Sequence, residues 1–196
     1  MFNSKKKMDM KKLILSMLLA VMGITASAQF YAGGSVNLSR NWEDNKSHFS
    51  IQPEVGYNIS DKWAAGLGIG YAHNYANSIK VNAFEINPYA RYTACKFGAL
   101  SFFVDGGLDF VTFKAKVGDG PSSDAYNAWQ VGLKPGLKVS LCKNIDFIAH
   151  MGFLGYRDND DFDANAGIEN PVKYGDKGFK FSCSTEDLSF GVLFNF

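Results

Sequence analysis

Seven charged residues stand in stretches that are otherwise apolar or small: Glu54, Glu85, Arg91, Asp105, Asp109, Lys134 and Lys138. Carboxylates and cations mixed in this way can pair with one another across a confined space, or select solutes in a water-filled one. Two further groupings invite chemistry. His73 and Ser78 lie close in sequence, but a nucleophile and base need a third group to orient the base, and no acidic partner is evident. Asp161, Asp163 and Asn165 have the odd-position spacing of a calcium loop, with Glu169 as a further oxygen donor. Such a loop needs glycine at its sixth place; Ala166 stands there and Gly167 comes one late. The run reads as a solvated acidic loop. No catalytic residue, metal site or cofactor is assigned.

The elements that carry the seven charges follow a period of two, which is the period of a half-buried strand. Phe49, Ile51, Pro53, Val55, Tyr57 and Ile59 alternate with His48, Ser50, Gln52, Glu54, Gly56 and Asn58. The same holds for Trp63 to Tyr71, Phe84 to Tyr92, Leu100 to Phe110, Trp129 to Val139, Phe147 to Phe153 and Leu188 to Phe196. With Phe30 to Leu38 this makes about eight strands, each near the length that crosses a bilayer at a tilt. No stretch shows a helical period. The expected fold is all-β: an eight-stranded, antiparallel, up-and-down transmembrane barrel.

Connections alternate in kind. Short turns fall at Ser60–Lys62, Cys95–Gly98 and Cys142–Asn144; longer polar links fall at Arg40–Lys46, His73–Ser78, Lys114–Asp124 and Arg157–Lys177. Short turns at one end and long loops at the other are the layout of an outer-membrane barrel. Proline recurs at Pro53, Pro88 and Pro135 on every second strand. Proline has no N–H for a ladder, so each must sit at a bulge or where the neighbouring carbonyl meets water.

Upstream, five lysines precede the apolar run Leu13 to Ile24 and the small residues Ala26-Ser27-Ala28. This is the pattern of a cleaved secretory signal over residues 1–28; a membrane-spanning helix needs about 20 apolar residues. Its removal takes five lysines and Asp9 from totals of 20 basic and 19 acidic residues, leaving 15 against 18. That balance argues against a nucleic-acid partner, which favours a strongly basic face. One domain, residues 29–196, is expected. The three cysteines, Cys95, Cys142 and Cys183, have neither zinc nor redox-motif spacing and read as free thiols.

Alternation does not say which face points out. A barrel of eight strands has an interior just wide enough for its own side chains or one small ligand, so the many bulky apolar residues of one face cannot all fit inside. Aromatics also cluster toward strand ends: Tyr57, Trp63, Tyr92, Phe147 and Phe194 at the short-turn end, and Phe49, Tyr71, Phe84, Phe110 and Trp129 at the other. This is the double girdle of two lipid–water interfaces. The apolar face is therefore assigned to lipid, and the seven charges to the lumen with His48 and His150.

The chain closes on "LSFGVLFNF", ending at Phe196 with apolar or aromatic residues at every second place. This resembles the closing strand of bacterial outer-membrane proteins. With the signal pattern and strand count, the chain resembles the small, porin-like outer-membrane β-barrel family of Gram-negative bacteria that includes the OmpA transmembrane domain and OmpX. The resemblance implies a location in the cell outer membrane, contact with its lipid and lipopolysaccharide, and a monomer. It also implies that Phe196 is read by the barrel-assembly machinery. Three functions follow as expectations: a plugged barrel acting in envelope structure, or in surface recognition of an extracellular ligand through its loops; a narrow porin-like channel; and, least favoured, a lipid-modifying enzyme.

Overall fold

The period-two segments form extended chain throughout the computed structural model, whose described residues are 29–42, 45–76, 78–118, 120–159, 177–183 and 187–196. The expected signal segment and the acidic run with Asp161, Asp163, Asn165 and Glu169 lie outside these residues. Ten strands follow in order: β1 (Phe30–Asn41), β2 (Lys46–Asn58), β3 (Trp63–Ala76), β4 (Ile79–Phe97), β5 (Leu100–Val117), β6 (Tyr126–Cys142), β7 (Ile145–His150), β8 (Phe153–Asn159), β9 (Gly178–Ser182) and β10 (Ser189–Asn195). Each pairs antiparallel with its neighbour, and β5–β6 and β1–β10 pairing closes the ring. β7 with β8, and β9 with β10, share one wall position each, so the barrel has eight staves.

The seventh stave is broken at Met151–Gly152, where Gly152 has φ of 93°. Below the break Gly136 pairs with His150; above it Leu133 pairs with Leu154, a shift of one residue. A one-residue slip turns every side chain to the other face. Phe153, read from the sequence as outward, is therefore inward and buried, and Arg157, read as the start of a loop, is an inward strand residue.

The same place explains a proline. Pro135 lies opposite the break, where the Met151 N–H donates to its carbonyl at 3.0 Å. At Pro53 the β2–β3 ladder runs to Ile51↔Tyr71 and resumes at Glu54↔Gly68. At Pro88 the β4–β5 ladder runs to Ile86↔Phe110 and resumes at Tyr89↔Gly107. Each proline keeps its pairing on one side and opens the ladder on the other, as a residue without an N–H must. All three prolines are exposed on the outer face, well inside their strands. Of the two ways expected from the sequence, a bulge or a carbonyl that meets water, neither is needed: the open ladder step accommodates them.

Strands also run further toward the long-loop end than the alternation of outward apolar residues suggested. β4 begins at Ile79 and β5 ends at Val117. Past the row Tyr71, Phe84, Phe110 and Trp129 the two faces exchange character. Inside are Ala72, Ile79, Val81, Ala83, Val111, Phe113, Ala115 and Ala128, packed as one buried cluster with Tyr126 against it. Outside are Lys80, Asn82, Thr112, Lys114 and Asn127, all exposed. The link expected at His73–Ser78 is therefore largely strand, and the one expected at Lys114–Asp124 begins with the strand residues Lys114–Val117. At the opposite end Cys95 and Cys142 sit in strand ends beside register shifts, not within the turns; both are exposed and free, as is Cys183.

Candidate functional site in the barrel lumen

All seven charges singled out from the sequence turn inward. Arg91 is 4 % exposed and binds Asp105 through two bonds, Nε to Oδ1 and Nη2 to Oδ2, each 2.8 Å. Its Nη2 also lies 3.5 Å from Glu54 Oε2. Register places this pair: Arg91 faces Asp105 directly across β4–β5, and Asp105 faces Lys134 across β5–β6. A two-bond guanidinium–carboxylate pair is geometrically specific as well as strong.

Tyr31, Tyr89 and Phe103, which were not singled out from the sequence, complete the layer together with His150, which was expected in the lumen. The Tyr89 hydroxyl donates to Glu54, and so accepts from the Tyr31 hydroxyl at 2.9 Å. The Arg91 guanidinium stacks on the Phe103 ring at 4.4 Å and the Tyr89 ring at 5.1 Å. His150 donates Nε2–H to Asp105 Oδ2 at 2.9 Å. The lumen has room for three rings because each lies over a glycine of the adjoining strand. Tyr31 covers Gly56, Phe103 covers Gly136, and a Cβ on Gly66 would lie 2.5 Å from the Tyr89 ring. The signal was present in the sequence as inward aromatics and inward glycines, but only the register pairs them.

Above this layer, Asp109 accepts from Asn87 and Gln130, and its Oδ2 lies 2.8 Å from Lys134 Nζ. Lys134 reaches Glu85 at 3.9 Å. Arg157 donates through Nε to Gln130 Oε1 at 2.9 Å and lies over the Phe153 ring. Below it, Lys138 pairs with Asp146 at 3.5 Å, and Asn195 donates to the same carboxylate at 3.0 Å. Arg157 was missed because the broken stave hid its parity; Asp146, on the parity of His150, was passed over at the start of its strand beside the short turn.

Two cavities flank the Arg91 layer. The upper one, about 90 Å³, is lined by Gln52, Glu54, Asp105, Lys134, His150 and Ser189 among others. The lower one, about 250 Å³, is lined by Tyr31, Arg91, Lys138 and Asp146 among others. His48 reaches Asn74 from the inner face. His73 bonds Asn82 at 2.7 Å on the outer face and does not engage Ser78. Among the described residues no His, Cys, Asp and Glu group could hold a metal ion.

The aromatics assigned to the interfaces point outward. Tyr57, Trp63 and Phe194 are 36 %, 50 % and 48 % exposed at the short-turn end. There Trp63 packs on Tyr92 with ring centres 4.8 Å apart. Tyr71 and Trp129 lie in the other row, where Trp129 packs on Tyr156 at 5.7 Å. The Phe196 N–H donates to Phe30 O at 2.9 Å, which ties the last residue to the closing seam.

A closed barrel, apolar outside between two aromatic rows and charged within, defines an outer-membrane β-barrel protein. The chain belongs to the family described as outer membrane protein beta-barrel domain, which it matches over residues 13–196. The N-terminal β-barrel domain of Pseudomonas aeruginosa OprF is similar in structure at a TM-score of 0.52 and 17% identity, covering 87% of this chain and 98% of that one. Neisserial surface protein A aligns with the same identity and coverages at a TM-score of 0.48. No curated protein matches by sequence. The cell outer membrane is its location.

Proposed function

We propose that this protein is a non-conducting barrel that acts in envelope structure or in surface recognition through its long loops. The observation that carries the reading is the layer of Tyr31, Glu54, Tyr89, Arg91, Phe103 and Asp105 between the two cavities. Paired charges and rings lie across the lumen there, and a guanidinium held by two carboxylates does not leave them cheaply. The lumen charges Glu54, Glu85, Arg91, Asp105, Asp109, Lys134 and Lys138 act as cross-braces. Tyr57, Trp63, Tyr71, Tyr92, Trp129 and Phe194 anchor the barrel in lipid and lipopolysaccharide, and Phe196 is the terminal signal for the assembly machinery. No catalytic step is placed in this site.

The second reading, a narrow channel, draws on the two cavities that approach the Arg91 layer from opposite sides. Planar-bilayer recording separates the readings. The plugged barrel gives no steady conductance; a large steady conductance in the unaltered protein overturns it. For recognition, cells carrying the protein without residues 160–176 are compared with cells carrying the intact chain for adhesion to immobilised glycans and host-matrix proteins. Adhesion lost with the loop supports the reading, and unchanged adhesion contradicts it.

A further inference from the structure

On the outer face, just past the row of Phe84, Phe110 and Trp129, three lysines stand together. Lys80 of β4 faces Lys116 of β5 directly, and Lys114 faces Asn82 two pairs further down. All lie on the outward parity, and Lys80 and Lys114 are exposed. Like charges directly opposite one another destabilise a sheet. None of the three forms an ion pair with any described residue, and neither does Asp124 beyond the strand; Asp119 lies outside the described residues. Three cations on one small patch, without a counter-charge among the described residues, suit an anion.

Depth and the adjoining surface say which anion. Lys80 is four residues beyond Phe84 and Lys114 four beyond Phe110, about 13 Å along a strand. With the usual tilt of about 45° this is roughly 9 Å above the aromatic row, and lysine side chains reach back toward the interface. Directly below the lysines is an outer groove of about 390 Å³ floored by Phe84, Ile86, Phe110 and Trp129, with Thr112 and Asn127 at its upper edge. Thr112 donates to Asn127 at 3.0 Å. Asp158, on the groove's side, lies 3.7 Å from Lys177. Apolar floor, polar edge and cations above match an acyl chain, a sugar and a phosphate in that order.

We propose that Lys80, Lys114 and Lys116, with this groove, form a binding site for a phosphorylated glycolipid of the outer leaflet. The lysines hold the phosphates and the groove holds an acyl chain. The site lies outside the lumen and does not depend on whether the barrel conducts.

The test is titration of the purified, detergent-folded protein with diphosphoryl lipid A, read by native mass spectrometry. Each lysine near an anionic surface is worth about fivefold in affinity, so K80Q/K114Q/K116Q weakens binding on the order of 100-fold, and K114Q alone about fivefold. The single variant gives the reading even if the triple one fails the heat-modifiability check for folding. K62Q/K96Q, at the short-turn end, leaves binding unchanged. Dephosphorylated lipid A binds the unaltered protein as weakly as diphosphoryl lipid A binds the triple variant, and equimolar inorganic phosphate does not compete. The proposal is overturned if K114Q and the folded triple variant bind within twofold of the original, or if K62Q/K96Q loses as much. It is equally overturned if removing the phosphates changes nothing, or if inorganic phosphate displaces the glycolipid.

Discussion

The same four strands, β3 to β6, are dressed in opposite ways on either side of the row Tyr71, Phe84, Phe110 and Trp129. Below it Leu67, Ile69, Ile86, Leu108, Val131 and Leu133 face outward, and Glu85, Asn87, Asp105, Asp109 and Lys134 face inward. Above it Val81, Ala83, Val111 and Phe113 are inside while Lys80, Asn82, Thr112 and Lys114 are outside. Backbone and parity continue unbroken through the row. What changes is the medium outside: hydrocarbon below and water above. In water the strands need an apolar interior to hold them together; in hydrocarbon burying apolar groups gains nothing, and polar interactions inside the wall must do it.

Each half should fail in its own way. Removing the cation below the row has the largest effect: R91A strands Asp105 and Glu54 as uncompensated charges and costs about 3–5 kcal/mol, measured by urea unfolding in lipid vesicles. R91M with D105N and E54Q removes the charges together and should cost far less, which would separate pairing from packing. Above the row, F113A opens a cavity in the apolar cluster and costs about 3 kcal/mol or slightly more. That cost should be the same in detergent and in bilayer, because Phe113 meets neither. On the outer face, I86K at the hydrocarbon level costs about 2–4 kcal/mol in vesicles. N82K, four residues higher on the same strand and face, gives up the bond to His73 and faces Lys114, yet should cost no more than about 1 kcal/mol. Equal costs for I86K and N82K would erase the proposed boundary between them.

Much of this was legible beforehand because membrane and narrow lumen act on alternate residues. Glu54, Arg91, Asp105 and Asp109 betrayed the inner face by interrupting apolar strands. Parity says which residues are neighbours but not what each face meets, so Lys114 and Lys116 made the end of β5 look like a loop while Val111, Phe113 and Ala115 were passed over. The shift at Gly152 was hidden for a related reason. Phe147, Ala149 and Met151 face outward at odd positions and Leu154 and Tyr156 at even ones, and a single unbroken strand cannot accommodate both. Arg157 was lost with it, whereas Asp146 shares the parity of His150 and was passed over beside the short turn. The ring seats at Gly56, Gly66 and Gly136 depend on register between strands, which no single strand's sequence carries.

The most direct test of where hydrocarbon ends is a spin-label scan along the outer face of β4. Cys95, Cys142 and Cys183 are first replaced by serine, and single cysteines are placed at Lys80, Asn82, Ile86, Pro88 and Ala90 of protein folded in bilayers. Labels at 86, 88 and 90 should collide with dissolved oxygen and be shielded from a water-soluble nickel complex, while those at 80 and 82 should show the reverse. Equal access of the nickel complex to all five positions would contradict the account.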